Sequence, residues 1–195
     1  MKDTSDKTNT CDWPSGDPLM IEYHDNEWGE PVHDDQKHFE FILLDGFQAG
    51  LSWKTVLHKR DNFAKAFDHF DYRKIAIYDA DKIQSLLQDT GIIRNKAKIN
   101  ATILNAKRFL DIQNEFGSFD SFIWQFTNGK TLHNEWKKLS EIPAKSNESD
   151  VMSKELIKRG FKFVGSTICY SYMQAAGMVN DHLIHCSRHH QLKLR

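Results

Sequence analysis

The sequence predicts an all-α fold, and two observations support this. From Asp34 onward, apolar residues recur with the period of a helix, and Asp, Ser and Gly residues separate one apolar segment from the next. Alternation of apolar and polar residues, which is typical of strands, is scarce. With 195 residues and no internal repeat, the chain has the length of one domain.

In the first half of the chain, short polar side chains precede the apolar segments. An Asp or Asn oxygen can accept hydrogen bonds from the first free N–H groups of a helix, so these positions predict where helices begin. The predicted N-caps are Asp34, Asp61, Asp71 and Asp79. The longest helix is predicted from about Asn95 to Gln113. Its apolar face would contain Ile99, Ile103, Ala106 and Leu110.

The second half of the chain predicts shorter elements. Ser118 indicates the start of a short helix. The segment from Thr127 to Asp150 is polar and contains Pro143, so an irregular connection is predicted there. The last two predicted helices begin after Asp150 and Ser166 and end at Gly160 and Gly177.

Composition excludes several classes of protein. The net charge of −1 gives no overall attraction for nucleic acid, so DNA binding would need a local basic patch. No apolar run approaches the ~20 residues of a membrane span. Residues 1–10 are polar and are predicted to be a disordered leader without the apolar core of a signal peptide. The odd cysteine count argues against a disulfide framework, so we expect a cytoplasmic protein. One domain is predicted over residues 11–186, followed by a tail over 187–195.

Candidate metal ligands lie near both ends of that domain. Cys11 and His24 are separated by twelve residues, and His182 and Cys186 by three. Two thiolates and two imidazoles form the ligand set of a tetrahedral structural zinc site. One ion would then join the two ends of the fold, and the closed shell would leave no position for a substrate. The alternative is a chance spacing, because the chain has ten histidines.

A basic segment lies between two predicted helices. It contains Gly91 in a tight turn, followed by Arg94, Lys96 and Lys98 at a helix N-terminus. Backbone N–H groups and the helix dipole attract a phosphate there, and the cations neutralise its charge. The segment looks like a helix-hairpin-helix element, which holds the DNA backbone without reading sequence, although Ile93 replaces the usual second glycine. The alternative is a helix connection with solvated cations.

The segment from Leu43 to Trp53 is the richest in candidate site residues. Asp45 could be a partly buried acid at a pocket wall, and Gly50-Leu51 has a shape suited to wedging into a base stack. Trp53 offers a face on which a base or a cation could stack. The alternatives are core packing of Leu51 and Trp53 and a helix stop at Asp45-Gly46.

Several motifs, in order from Cys11 to Cys186, resemble the bacterial DNA-3-methyladenine glycosylase I family. Each motif alone is weak, but together they cover nearly the whole chain and are highly specific. They are Cys11-Asp12-Trp13, Asp17-Pro18-Leu19, Tyr23-His24-Asp25-Asn26-Glu27-Trp28-Gly29, Gln48-Ala49-Gly50-Leu51-Ser52-Trp53, Gly91-Ile92-Ile93-Arg94, Arg159-Gly160-Phe161-Lys162-Phe163-Val164-Gly165 and Asn180-Asp181-His182.

The resemblance implies a helix-hairpin-helix DNA glycosylase fold whose termini are joined by zinc. It implies excision of an alkylated purine, most of all 3-methyladenine, from double-stranded DNA. The flipped base would stack on Trp53 beside Tyr23 and Trp13, and Gly50-Leu51 would fill the gap in the duplex. An acid in the base pocket, matching Asp45, would replace the catalytic aspartate found elsewhere in the superfamily. No protein partner is implied, and a monomer is expected.

Three residues depart from the family's pattern. The pocket acid is typically glutamate, whereas Asp45 is shorter by one methylene, or ~1.5 Å of reach. Phe47 occupies a position where a polar residue is common, and Met20 replaces a pocket tyrosine. A different damaged-base specificity and a non-catalytic DNA-binding protein of the same fold are therefore alternatives. A zinc hydrolase is disfavoured because the ligand shell is closed.

Overall fold

The computed structural model describes residues 10–194, so the predicted leader lies outside the described residues except for Thr10. The described chain is mainly helical, which confirms the all-α prediction. Its α-helices are α1 (Pro18–Asn26), α2 (Asp35–Gln48), α3 (Trp53–Leu57), α4 (Arg60–Ala66), α5 (Tyr72–Ile75), α6 (Ala80–Gln88), α7 (Lys96–Phe116), α8 (Phe119–Ile123), α9 (Asn147–Lys158), α10 (Ser166–Ala175) and α11 (Ser187–Lys193).

The remaining regular structure is short. Strands β1 (Leu132–His133) and β2 (Val179–Asn180) pair in parallel, with Leu132 opposite Val179. Three 3-10 turns lie at Asp68–Phe70, Trp124–Thr127 and Leu139–Glu141. The predicted irregular connection is therefore interrupted by β1, by the third of these turns and by the start of α9.

Most of the predicted helix starts are confirmed by their capping hydrogen bonds. The side chains of Asp34, Asp71, Asp79 and Ser118 accept from backbone N–H groups of the helices that follow them. Asn95 caps α7 in the same way, and α7 runs three residues beyond the predicted end. Helix α1 was not predicted, although Asp17 caps it and Pro18 occupies the first helical position.

Three predicted caps are wrong. Helix α4 follows α3 with no extended residue between them, so its cap position falls on Lys59 and Asp61 lies in the first turn. Ser146 caps α9 in a reciprocal pair with Ser149, which leaves Asp150 in the first turn. Gly165 occupies the cap position of α10, and Ser166 is already helical.

Helix α2 lies at the centre of the fold, where it packs against α3, α7, α8 and α10. Its inner face is aromatic and continues into the rings of its neighbours. Phe39 meets Phe109 edge-on at 5.3 Å between ring centroids, and Phe109 stacks on Phe119 at 4.2 Å. Because these rings are fully buried, α2 is held rigidly and fixes the direction of the side chains at its C-terminal end.

The predicted tail after Cys186 contains helix α11 over Ser187–Lys193. His189 and Leu192 are buried, and the His189 ring nitrogen Nε2 lies 2.8 Å from the carbonyl oxygen of Asn134. The Leu192 side chain lies beside Gly29, so the segment removes apolar surface from water by packing there. Within residues 10–194, no helix combines the length and apolar character needed to cross a membrane.

Candidate active site

A cavity of about 360 Å³ lies where α1, α2, α3 and α10 meet. Four aromatic side chains, Trp13, Tyr23, Trp28 and Trp53, form much of its wall. Asp45 is the acidic residue in the lining. An apolar cavity with a few polar groups is typical of sites that bind small molecules.

Asp45 is an unpaired acid in this wall. Helix α2 continues past it to Gln48, so the alternative of a helix stop at Asp45-Gly46 is wrong. The side chain is buried, and its Oδ2 atom has no hydrogen-bond partner among residues 10–194. Burial raises the pKa of the Asp45 carboxyl well above its ordinary value. Such a group attracts any cation or hydrogen-bond donor that enters the cavity.

The indole rings contribute two further unpaired polar atoms. The Nε1–H groups of Trp13 and Trp53 are buried and find no acceptor in the described chain. Trp53 lies against Tyr23, with 5.1 Å between centroids, and Trp13 packs edge-on to Trp28 at the same distance. The cavity wall is therefore a rigid aromatic surface on which both indole donors lack partners.

Tyr23 lines the same cavity as Asp45. Burial, with the nearby carboxylate of Asp45 as a second cause, raises the pKa of the Tyr23 hydroxyl well above its ordinary value. The hydroxyl is therefore neutral and can donate a hydrogen bond. It makes none with the described residues, so it can contact a ligand in the cavity.

Asp17 fixes the two helices that carry Tyr23 and Trp53. Its carboxylate caps α1 and also lies 2.8 Å from Lys54 Nζ and 2.9 Å from His58 Nε2, near α3. These contacts lower the pKa of Asp17, with the hydrogen bond from Lys54 as the largest cause. The two stacking residues therefore stand on helices that are tied together.

The predicted metal ligands Cys11, His24, His182 and Cys186 meet in one buried cluster. One ligand atom from each lies within 4.8 Å of the others. His24 Nε2 is 3.1 Å from His182 Nδ1, and Cys186 Sγ is 3.7 Å and 3.6 Å from these nitrogens. Cys11 Sγ is 3.8 Å from His182 Nδ1. In a tetrahedral shell with ordinary Zn–S and Zn–N bond lengths, the ligand atoms are ~3.3–3.8 Å apart, so this donor set fits zinc.

The second nitrogen of each imidazole is also placed for metal binding. His24 Nδ1 lies 2.6 Å from Asp25 Oδ1, and His182 Nε2 lies 2.9 Å from the carbonyl oxygen of Trp28. A proton on each of these nitrogens leaves the lone pair of the other nitrogen directed into the cluster. The His24 ring also packs against Trp13, so the cluster supports the cavity wall.

The loop between α2 and α3 presents Leu51 to solvent. Gly50 has φ +78°, a conformation that favours glycine, and it reverses the chain at the end of α2. The Leu51 side chain is 44% exposed, so the alternative of core packing is wrong for this residue. Ser52 caps α3 immediately afterwards, which places Leu51 and Trp53 on either side of one cap.

The predicted phosphate-binding hairpin lies between α6 and α7. Its Gly91 is crowded, because a Cβ there would lie 3.0 Å from Asp89 Oδ1 and 3.2 Å from the Asn62 side chain. Arg94 and Lys96 are exposed, and neither forms an ion pair within residues 10–194. Both cations can therefore reach an external anion.

Lys98 does not lie with them, which corrects the prediction that it contacts phosphate. Its side chain is buried, and Nζ donates hydrogen bonds to the carbonyl oxygens of Phe47 at 2.7 Å and Ala49 at 2.6 Å. Burial lowers the pKa of this ammonium group. The physical reason is the C-terminus of α2, whose free carbonyl groups offer a better partner than solvent.

Two of the residues that depart from the family pattern do not line the cavity. Phe47 points into the core, where it packs against Phe63 at 4.7 Å between centroids. Met20 is buried with Tyr23, Trp28 and Leu57, behind the aromatic wall. Among Asp45, Phe47 and Met20, Asp45 is therefore the residue whose side chain can contact a ligand in the cavity.

Sequence reasoning missed part of the wall. Gln48 lies one turn after Asp45, so helical spacing could have predicted its place in the lining. Leu139 and Ile142 come from the connection predicted to be irregular, and no local signal marked them. Gln174 is held by Asp181, whose two carboxylate oxygens also accept from Asn134, Trp136 and Tyr170.

Comparison with known proteins gives one consistent result. Residues 13–189 match the methyladenine glycosylase family. Over 176 residues, which make up 90% of this chain and 94% of the relative, the chain is 51% identical to DNA-3-methyladenine glycosylase 1 of Escherichia coli. It is similar to a crystal structure of 3-methyladenine DNA glycosylase I, with TM-score 0.89, 50% identity and coverage of 92% and 98% of the two chains. A structure of the Staphylococcus aureus enzyme, solved to explain 3-methyladenine recognition, has TM-score 0.89, 33% identity and coverage of 92% and 96%.

Proposed function

This chain belongs to the methyladenine glycosylase family, and we propose that Asp45, Trp53 and Tyr23 receive the flipped base of its substrate. The protein is a DNA repair glycosylase that hydrolyses the N-glycosyl bond of 3-methyladenine. Identity of about half over nearly the whole chain supports this activity. The assignment of roles to residues rests on the cavity.

The observation that carries the proposal is the unpaired carboxylate of Asp45 in an aromatic cavity. An adenine alkylated at N3 is a cation, whereas the ordinary bases of DNA are neutral. The negative charge of Asp45 and the electron-rich faces of Trp53 and Tyr23 all favour a cation. Low polarity around them strengthens that preference.

The reaction needs little further chemistry from the protein. The bond between the sugar C1′ and the base nitrogen breaks, its electron pair stays on the base, and 3-methyladenine leaves as a neutral molecule. Positive charge then develops on the sugar, where Asp45 stabilises it electrostatically. Water adds to C1′ and loses a proton, which completes the hydrolysis. The protein's main task is to extrude the nucleotide, at a cost of a few kcal/mol.

We assign DNA binding to two exposed surfaces, the hairpin before α7 and the loop between α2 and α3. Arg94 and Lys96, with the turn at Gly91, would hold phosphates in a helix-hairpin-helix manner. The turn at Gly50 exposes the Leu51 side chain, which would insert into the base stack at the position left by the flipped nucleotide. The exposure of these side chains supports both assignments.

A structural zinc ion is proposed at Cys11, His24, His182 and Cys186. The burial and spacing of the four donors support it, and so do the second-nitrogen contacts of both imidazoles. The four protein ligands would close the shell, so the ion would stabilise the fold and take no part in the reaction.

Released bases identify the activity directly. Incubating the protein with duplex DNA treated with a methylating agent should release 3-methyladenine, which chromatography separates from 7-methylguanine. A non-catalytic DNA-binding protein would release nothing, and a glycosylase of different specificity would release another base. Asp45→Asn should suppress the release if the carboxylate has the proposed role.

A further inference from the structure

The contacts of Lys98 link the hairpin to the wedge loop, which we define as residues 49–51. Lys98 is the third residue of α7, and its own backbone N–H donates to the capping side chain of Asn95 at 3.1 Å. Its ammonium group reaches across to the carbonyl oxygens of Phe47 and Ala49. One residue therefore joins the start of α7, beside Arg94 and Lys96, to the loop that carries Leu51.

No carboxylate neutralises Lys98 among residues 10–194. Its two partners are backbone carbonyls at the end of α2, and the ring of Phe163 covers it at 5.9 Å. Burying an ammonium group without a carboxylate partner costs free energy, and the hydrogen bonds to the two carbonyl oxygens compensate part of that cost. What Lys98 holds is the short turn in which Gly50 adopts φ +78° and Leu51 N–H donates to Gln48 at 2.6 Å.

We infer that Lys98 is a positioning residue for base extrusion, one that sets the wedge loop relative to the phosphate-binding hairpin. Phosphates held by Arg94 and Lys96 fix the duplex against α7. Lys98 fixes Leu51 against the same helix, so the wedge meets the duplex at a set depth. This role rests on the proposed function of Leu51 as the wedge, and it differs from a contact with DNA or with the base.

A Lys98 substitution should affect excision from duplex DNA but not binding of the free base. Lys98→Met keeps most of the aliphatic side chain but removes the donors. Binding of free 3-methyladenine, measured by quenching of tryptophan fluorescence, should be unchanged because Lys98 does not line the cavity. Excision from duplex DNA should fall about ten- to a hundredfold, the usual effect of losing hydrogen bonds from a charged group. Lys107→Met is the matched control, because it removes an exposed cation of α7 that has no proposed contact with DNA or with the wedge loop, and it should leave DNA binding, extrusion and excision unchanged.

A double-mutant cycle with Leu51→Ala tests whether Lys98 acts through the wedge. If it does, Lys98→Met should cost less than about twofold in excision once Leu51 is already alanine. Extrusion is followed in the same four proteins by the fluorescence of 2-aminopurine placed beside the lesion. An equal loss in both backgrounds, or weaker binding of the free base, would overturn the inference.

Two controls keep the outcome interpretable. If Lys98→Met does not fold, as judged by thermal melting, Lys98→Gln replaces it in the cycle, because its shorter side chain removes the charge and weakens the contacts with the two carbonyl oxygens while keeping the buried position polar. Excision by the unmodified protein is measured alongside. Absence of that excision would refute the proposed function, whereas normal excision with additive losses would refute the role of Lys98 alone.

Discussion

Replacing Asp45 by asparagine removes one charge from the cavity with almost no change in shape. Asp45 Oδ2 has no partner in the described chain, so a cationic base would be the group that compensates its charge. A hydrogen bond or ion contact with one charged partner is worth ~1.5–3 kcal/mol, or about ten- to a hundredfold in rate. We expect Asp45→Asn to lower the rate of 3-methyladenine release by this factor, measured in single turnover on methylated duplex DNA.

The same substitution should raise stability, and the sign follows from the pKa of Asp45. Burial raises that pKa in the folded protein, so above it the folded state carries an unpaired buried charge that the unfolded state solvates freely. The penalty is absent below the unfolded pKa, grows as pH rises from the unfolded pKa to the folded one, and is constant above the folded one. The Asp45→Asn variant should therefore melt about 2–4 °C higher for each kcal/mol of this penalty that the substitution removes. The difference should disappear in acid.

Two variants test this reasoning. Asp111→Asn removes the same charge from an exposed position on α7, where the carboxylate pairs with Arg108; it should leave the rate unchanged and, because exposed ion pairs are worth at most about 1 kcal/mol, should lower the melting temperature only slightly. Asp45→Glu restores the missing methylene, so if the shorter acid is a handicap, release of 3-methyladenine should increase. Undiminished release by Asp45→Asn would remove Asp45 from the mechanism. Lower stability of that variant at neutral pH would mean that the carboxylate has a partner after all.

Three further outcomes are expected. The protein should contain about one zinc per chain by metal analysis. Chelation, or either of the variants Cys11→Ser and Cys186→Ser, should lower the melting temperature. Unchanged metal content in those variants would contradict the proposed site. Replacing both Arg94 and Lys96 by alanine should weaken binding to damaged and undamaged DNA alike, and reduce the salt slope by about 2; a loss limited to one sequence would contradict a phosphate role. Trp53→Ala should reduce affinity for free 3-methyladenine by about 1–3 kcal/mol in a fluorescence or calorimetric titration, and unaltered affinity would place the base elsewhere.

The local features of the fold could be predicted from the sequence because their causes are local. An Asp34 or Ser118 side chain caps a helix through atoms three residues away, so the signal lies within a few letters. Asp61 and Asp150 have the same chemistry, yet the helices begin elsewhere. In the first case α3 runs directly into α4, and in the second Ser146 competes successfully for the cap.

The candidate site was predictable where chemistry restricts the residue type. A thiolate and imidazole set has few uses, so Cys11 and His182 were recognised although they lie far apart in the chain. A lysine side chain can have many roles. The sequence could not show that Lys98 points inward to the carbonyl groups of Ala49 and Phe47, which precede it by 49 and 51 residues. The sequence could also not show that Phe47, at a position where the family often has a polar residue, lies in the core, since only packing shows that it faces Phe63.

The cluster of Cys11, His24, His182 and Cys186 also sets an order of events during synthesis. His24 and His182 are 158 residues apart, which at ordinary ribosomal rates is a delay of roughly 8–30 s. During that interval Trp13 and Tyr23 have been translated, whereas the His182 imidazole and the Cys186 thiolate of the cluster that packs against Trp13 have not. The nascent chain therefore cannot complete this side of the cavity wall until His182 and Cys186, which precede α11, have been made.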